Sequence, residues 1–440
     1  MVRSFALYLL LSCFLFSKNN YPIILVHGFL GWGKEEVGEL NYWGGDNDIE
    51  EFLIEKGYTV YSVSLGPVSS TYDCAIETFY QIKGGQVDYG YDHSKRYSII
   101  RKPTGKVYEG LYPQWDSENP VHLIGYSFGG LTNRMLLHLL NSTYTNEETG
   151  EVDDSELLGK SLKNWIRSIT TMSTPHNGST LSNIVIGSLP FTDNLLPIAN
   201  MISSNYYDFD LDHWNLSKNE NESIRQYIAR LTNHPAWNTK NSIAWDSSIK
   251  GARELNNILT IDPQVYYFSS STVASILDST SGKHKPADYI SKMSYPWSWL
   301  IGRTKVDMGN GEKTNEDWFE NDGTVNTISM SRPFTGKNGP EPMQFLSNSQ
   351  LEKFINFFGK NSITIDCTFS KKENLSVAID RIQKQSEIAV RQGVTQLILS
   401  DKSLSKEQLP MPMLLCVGAI NTFLITKKLR GYVSINVQSG

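Results

Sequence analysis

The sequence predicts an α/β fold, with strands and helices alternating along most of the chain, and three observations carry that reading. Short β-rich apolar runs recur over residues 21–26, 58–64, 121–124 and 166–172. Helical spacing appears between them, over 48–56 and 131–140. The first run, Tyr21-Pro-Ile-Ile-Leu-Val26, is apolar almost throughout and opens into His27-Gly28, the pattern of a strand buried on both faces of a parallel sheet. Strands that alternate with helices imply a mostly parallel sheet covered on both sides.

In chain order, the first element is not part of the fold. Arg3 precedes the apolar run Phe5-Ala-Leu-Tyr-Leu-Leu-Leu-Ser-Cys-Phe-Leu-Phe16, which gives way to Ser17-Lys-Asn-Asn20. A charged start followed by an apolar stretch too short to span a bilayer reads as a secretory signal peptide over 1–18, so the product is expected to be secreted. The main α/β unit is expected over 20–335. Within it, 181–245 is long, Asn-rich and aromatic-rich with few β-runs, and reads as a lid insertion or a helical subdomain. A breaker-rich linker, Thr335-Gly-Lys-Asn-Gly-Pro-Glu-Pro342, falls at the start of a 336–350 connection. Residues 351–440 form a small partial α/β module: Leu375, Ala378, Ile379, Ile382, Ala389 and Val390 share a helical face, and Val394-Thr-Gln-Leu-Ile-Leu399 is a strand. Two units suit a chain of 440 residues.

The charge balance, 40 Lys+Arg against 46 Asp+Glu for a net −6, weighs against a nucleic-acid partner. The run 411–425 is broken by Pro412, Gly418, Asn421 and Thr422, so it reads as a buried element and no transmembrane helix is expected. Once the signal is removed, Cys74, Cys367 and Cys416 are too few and too scattered for a disulfide framework.

Gly125-Tyr-Ser-Phe-Gly129 carries the chemistry. A Gly-x-Ser-x-Gly between an apolar strand and a helix is a nucleophile elbow, which makes this an α/β-hydrolase fold with Ser127 as nucleophile. The Phe128 N–H opens the following helix and faces a developing oxyanion; the second donor is expected from His27-Gly-Phe29, at the Phe29 N–H. His27 itself is read as a residue that shapes its loop. In the chain order Ser, Asp, His, the acid falls after a late strand, and Asp322 in Glu320-Asn-Asp-Gly-Thr324 fits, although Asn-Asp-Gly is also an ordinary turn.

Together with the elbow, six stretches carry a specific resemblance: Tyr21-Pro-Ile-Ile-Leu-Val-His-Gly-Phe29, Tyr42-Trp-Gly-Gly45, Gly66-Pro-Val-Ser-Ser70, Val87-Asp-Tyr-Gly90, Thr174-Pro-His-Asn-Gly178 and Trp318-Phe-Glu-Asn-Asp-Gly-Thr-Val-Asn-Thr-Ile-Ser-Met330. In this order, from about 20 to 333, the chain resembles the secreted triacylglycerol lipases of staphylococci and thermophilic bacilli. The resemblance implies a lipid or ester substrate, specifically acyl-glycerol esters, met at a lipid–water interface under a mobile lid. It also implies Ser127 and Asp322 as nucleophile and acid, with Phe29 and Phe128 as oxyanion donors. No cofactor is required for catalysis. The family holds a structural zinc, and Asp73, His93 and Asp246 match three of its ligands. The fourth position, six residues after His93, is Ile99, and three ligands with an apolar fourth leave a tetrahedral site open unless water closes it.

A serine nucleophile needs a base, and in this fold it is a histidine after the acid. None of the eight histidines follows Asp322, and His176 is the least implausible surrogate. The lipase pattern stops near Arg332-Pro333, before the family's histidine and the calcium ligands that follow it, so calcium is not supported. Residues 354–440, with Ile365-Asp-Cys-Thr-Phe369, Leu397-Ile-Leu-Ser-Asp401, Leu409-Pro-Met-Pro-Met-Leu-Leu-Cys-Val-Gly-Ala-Ile420 and Val433-Ser-Ile-Asn-Val-Gln-Ser-Gly440, resemble part of the glutamate synthase central domain, and no catalysis, flavin or iron–sulfur cluster is assigned to them. The expectation is a secreted lipase-type ester hydrolase impaired by its missing histidine. The alternatives are an inactive hydrolase fold that binds lipid, and a mis-joined gene product carrying a glutamate synthase fragment.

Overall fold

A computed structural model describes residues 20–188, 209–333 and 355–438, apart from isolated positions within those ranges. The signal segment 1–18, the linker 336–350 and, from the lid span, residues 189–208 lie outside the described residues. The chain divides into two compact units, Met1–Met343 and Gln344–Gly440.

The first unit is built on five strands: β1 (Ile23–Val26), β2 (Val60–Ser62), β3 (Val121–Tyr126), β4 (Ile166–Met172) and β5 (Tyr266–Ser270). Their order is β2-β1-β3-β4-β5 and every pairing is parallel. Parallel strands need helical crossovers, so both faces are covered and β1 can be apolar on both sides. Ile24, Leu25 and Val26 are fully buried accordingly.

Two helices supply most of that cover. Helix α1 (Thr71–Lys83) starts where the Ser70 hydroxyl accepts the Asp73 N–H at 3.1 Å, and it ends at Gly84, whose φ of 96° turns the chain away. Helix α2 (Phe128–Asn141) follows β3 directly. Ile76, Phe79 and Ile82 of α1 share one core with Leu136, Leu139 and Leu140 of α2 and with Ile24, Val26 and Leu123 of the sheet. Each such fully buried side chain stabilises the unit by roughly 1.5–3 kcal/mol.

From β1 the chain winds outward to β2 and then returns to β3 on the other side. The order therefore reverses between β1 and β3, and the crevice at their carboxyl ends is the natural place for a site in an open α/β sheet. His27 leaves one of these ends and Ser127 the other.

The second unit has its own three-stranded parallel sheet, β6 (Ser362–Asp366), β7 (Gln396–Ser400) and β8 (Ser434–Gln438), in the order β6-β7-β8. Helix α3 (Leu375–Arg391) buries Ala378, Ile382, Ala389 and Val390, and Leu375 and Ile379 pack at the margin, the face expected from the spacing. Helix α4 (Met413–Thr426) buries Cys416, Ile420 and Leu424, four residues apart, so the apolar stretch is a core helix. Among the described residues no helix is long and apolar enough to cross a membrane.

Candidate active site

Ser127 stands at the turn between β3 and α2 with φ 52° and ψ −121°, a conformation that a non-glycine residue adopts only where its surroundings enforce it. The enforcement is visible. Its N–H donates to the Met172 carbonyl at 2.7 Å, tying the elbow to the end of β4. A Cβ on Gly125 would lie 2.5 Å from the Gly129 carbonyl, and one on Gly129 would lie 2.2 Å from the Val26 carbonyl oxygen. Only glycine lets the strand, the turn and β1 approach so closely, which is the physical content of the Gly-x-Ser-x-Gly spacing.

The loop after β1 lies against the elbow. A Cβ on Gly28 would sit 2.9 Å from the Ser127 Cβ and 3.2 Å from the Phe128 nitrogen. Gly28 is held by the Tyr42 hydroxyl, which accepts its N–H at 3.0 Å, and Leu30 donates to the Pro67 carbonyl at 2.9 Å. His27 fixes this loop from below. Its Nε2 accepts the Leu65 N–H at 2.9 Å, which leaves Nδ1–H to donate to the Gly28 carbonyl, also at 2.9 Å. Burial holds its pKa below the usual histidine value, so it is a neutral, loop-shaping residue as its sequence context indicated.

Asp322 sits in a tight turn after the buried Asn321. Its Oδ1 accepts the Thr324 and Val325 N–H groups at 2.9 and 2.8 Å, and Oδ2 accepts the Thr272 hydroxyl at 2.9 Å. Burial, and after it the negative charge of Asp322, raises the pKa of Tyr126, the residue before Ser127. Among the described residues the partners of Asp322 include no histidine, and the Ser127 hydroxyl has no hydrogen-bonded base.

His176 does not serve as that base. Its Nδ1 accepts from Arg134 at 3.3 Å, and its Nε2 meets the Thr171 hydroxyl at 3.1 Å. It is buried beside the inner strands, and its pKa is pushed well below the ordinary value by burial and by the Arg134 charge. The surrogate role considered from sequence is removed by this packing.

A second polar cluster surrounds Asp73, in the first turn of α1. Its Oδ1 meets His93 Nε2 at 2.9 Å, and its Oδ2 accepts the Asn241 side-chain N–H at 2.7 Å. His213 Nε2 lies 3.4 Å from that same Oδ2. Burial opposes ionisation of Asp73, but His213 and His93 outweigh it and hold its carboxyl below the usual range. Asp246, whose Oδ2 accepts the Thr71 N–H at 2.7 Å, is pushed up to about 7 by burial, with the charge of Asp73 adding to the rise. The Tyr72 ring stacks on His93 at 3.9 Å and sets its plane. Among the described residues, no group of three or more His, Cys, Asp or Glu side chains is arranged to hold a metal ion. The donor types, two carboxylates and two imidazoles, nevertheless suit zinc. Ile99, the apolar fourth position of the sequence motif, is buried. His213 was not singled out as a ligand from the sequence, because it follows the motif by more than a hundred residues in a stretch without periodicity. The one available signal was its place beside Trp214 in the aromatic-rich region.

A family model described as "Lipase-like, C-terminal domain" matches residues 19–340, and one described as "Glutamate synthase central domain" matches residues 340–440. The Staphylococcus epidermidis protein named "Lipase" is 37% identical over 366 residues, covering 78% of this chain and 51% of that protein. The Staphylococcus aureus "Lipase 1" is 36% identical over 330 residues, covering 72% and 46%. This chain thus spans about half the length of these curated relatives. Among solved structures, EstA from Clostridium botulinum superposes with a TM-score of 0.69 at 36% identity, covering 76% of this chain and 79% of that one. The Staphylococcus hyicus lipase gives 0.62 at 31%, covering 79% and 83%. With the strand–turn–helix at Ser127 and the parallel sheet in place, the chain belongs to the family described as "Lipase-like, C-terminal domain".

Proposed function

We propose that the protein is a secreted carboxylic ester hydrolase of the lipase type, acting on acyl esters at a lipid–water interface, with a proton-transfer step impaired by the missing base. The observation that carries this reading is the strained backbone of Ser127 at the β3–α2 turn. Its hydroxyl oxygen would attack the ester carbonyl carbon, and the N–H groups of Phe29 and Phe128 would bind the oxyanion that forms. Asp322 is the acid that would orient and stabilise a histidine between itself and the serine. Among the described residues no histidine bridges Ser127 and Asp322, whose carboxylate accepts from Thr272 and from its own turn. Loss of the base is expected to lower kcat by roughly 10⁴- to 10⁶-fold, leaving what the oxyanion donors and binding supply.

The proposed lid lies around 181–245. Its described part supports this role: Phe209, Leu211 and Leu216 pack with Tyr227 and Ile228 against Phe128 and Leu131 of α2, beside the nucleophile. A second reading, an inactive hydrolase fold that binds lipid, is favoured by the Thr272–Asp322 hydrogen bond, which occupies the carboxylate oxygen that a base would use.

Turnover of p-nitrophenyl esters by the full chain, with Ser127→Ala as control, tests the proposal. Slow turnover that Ser127→Ala abolishes supports a hydrolase, and turnover unchanged by Ser127→Ala refutes it. Labelling by a fluorophosphonate at Ser127 separately reports whether the elbow and oxyanion donors are formed.

A further inference from the structure

The lipase-like family implies a zinc held in part by a histidine six residues after His93, and Ile99 occupies that position here. We propose that His213 takes the place of that histidine, and that Asp73, His93, His213 and Asp246 form a zinc site assembled from separate stretches of the chain. His213 is fully buried, and neither ring nitrogen has a hydrogen-bond partner. A buried imidazole that makes no hydrogen bond, with only an ion-pair contact from Nε2 to Asp73, is costly unless something binds there. Its Nε2 points at the Asp73 carboxylate, 3.4 Å from Oδ2, while His93 Nε2 faces the other oxygen at 2.9 Å. A tetrahedron with legs of about 2.0–2.2 Å has donor–donor edges of about 3.3–3.6 Å; the His213–Asp73 separation falls in that range and the His93–Asp73 one is shorter, so the rings would have to move apart to admit the ion.

The placement of His213 is backed by the chain around it. Its carbonyl accepts the Ile100 N–H at 2.8 Å, so its backbone runs beside the position where the motif's histidine is missing. Leu211 and Leu216, on either side of it, are buried in the cluster formed with Tyr227 and Ile228, and Asn215 takes a left-handed φ of 57° that turns the chain back. The ring is wedged against Tyr89 with centroids 5.1 Å apart. A histidine at 213 therefore reaches the Asp73 carboxylate from a backbone that runs beside Ile100.

The test is zinc binding by the full chain, stripped with a chelator and titrated with zinc chloride, read by calorimetry and by the melting temperature. Cobalt substitution adds the visible bands of a tetrahedral ion. One zinc per chain and a melting temperature raised by zinc are expected. His213→Ala should weaken binding by more than about 100-fold, beyond the 10–100-fold typical of losing a group outside the ligand shell. His213→Gln, which keeps the volume, should behave alike, with a zinc-free melting temperature near wild type. Adding Ile99→His to His213→Ala should restore affinity to within about tenfold. Failure of the wild-type chain to take up stoichiometric zinc would overturn the proposal. So would wild-type affinity in His213→Ala, or a double variant that binds no better than His213→Ala.

Discussion

The Thr272 hydroxyl donates to Asp322 Oδ2 at 2.9 Å, and the same Thr272 oxygen meets the Ser173 hydroxyl at 2.8 Å. Asp322 is thereby joined to the end of β4 through two hydroxyl groups. The carboxylate also organises the 322–325 turn by accepting from two backbone N–H groups. Asp322→Ala is expected to destabilise the first unit by about 1.5–3 kcal/mol, the range for hydrogen bonds to a charged acceptor. It should leave the residual, Ser127-dependent ester turnover within about threefold of wild type, because no base couples the two residues. In a working triad the rate would fall by about 10⁴-fold or more. Parallel urea melts and ester assays distinguish the cases, and a collapse of rate in Asp322→Ala would reveal a base that reaches both groups.

The elbow makes a sharper structural prediction. Added methyl groups at Gly129 meet backbone, the Val26 carbonyl oxygen at 2.2 Å and the His27 carbonyl oxygen at 2.5 Å, and neither can step aside. At Gly105 the nearest atom to an added Cβ is an Asp212 side-chain oxygen at 3.8 Å. Gly129→Ala should cost about 1–3 kcal/mol or more and abolish fluorophosphonate labelling of Ser127. Gly105→Ala should stay within about 0.5 kcal/mol and label normally. Denaturant melts followed by tryptophan fluorescence isolate the first unit, since all ten tryptophans precede residue 344.

What could be read from the chain divides by the range of the interactions. The helix expected at 48–56 is found as Ile49–Glu55 with Asp48 as its cap, and Ser127 sits at the strand–helix turn that Gly-x-Ser-x-Gly demands. Both are written in residues adjacent in sequence. Asp322 is similarly announced by its own Asn-Asp-Gly turn. His213 is different, because its meaning depends on Asp73 and Ile100, brought to it only by the folded chain. Thr272 is silent for the same reason: a lone threonine after β5 says nothing until Asp322 is placed beside it.

His27 supplies a pH-dependent prediction. Burial holds its folded pKa below 6.5, while Glu36 and Glu77 nearby pull the other way. A histidine depressed in the folded state contributes stability that is full above the unfolded value, about 6.5, and is lost as pH falls below it. His27→Asn removes the bonds to Leu65 and Gly28 and should destabilise by about 1–3 kcal/mol at pH near 7.5. The gap to wild type should shrink at a pH about one unit below the unfolded value, because the wild-type chain loses this contribution there while the variant does not. Comparing the two proteins cancels the opposite trend from Asp246, which is raised to about 7. Urea melts at the two pH values measure it, and a gap that widens on acidification would contradict the neutral, buried assignment.

The buried Lys106–Glu77 ion pair yields the last prediction. Glu77 is fully buried on α1, where its Oε1 accepts from Lys106 Nζ at 2.9 Å and from the Tyr89 hydroxyl at 2.6 Å, and its Oε2 accepts the Gly66 N–H at 2.9 Å. Lys106 is buried with it, and although burial disfavours its charge, Glu77 raises its pKa above the ordinary lysine value. Removing one partner leaves the other as an uncompensated buried charge, so Lys106→Met should cost about 3–5 kcal/mol. Replacing both, as Lys106→Met with Glu77→Gln, keeps a neutral group that still accepts from Gly66 or Tyr89 and leaves no isolated charge. The double variant is therefore expected to be more stable than Lys106→Met alone, and to lose less than the sum of the two single variants by about 0.5–3 kcal/mol. Strictly additive losses in a double-mutant cycle, read by tryptophan fluorescence in urea, would show that the pair is solvated rather than buried.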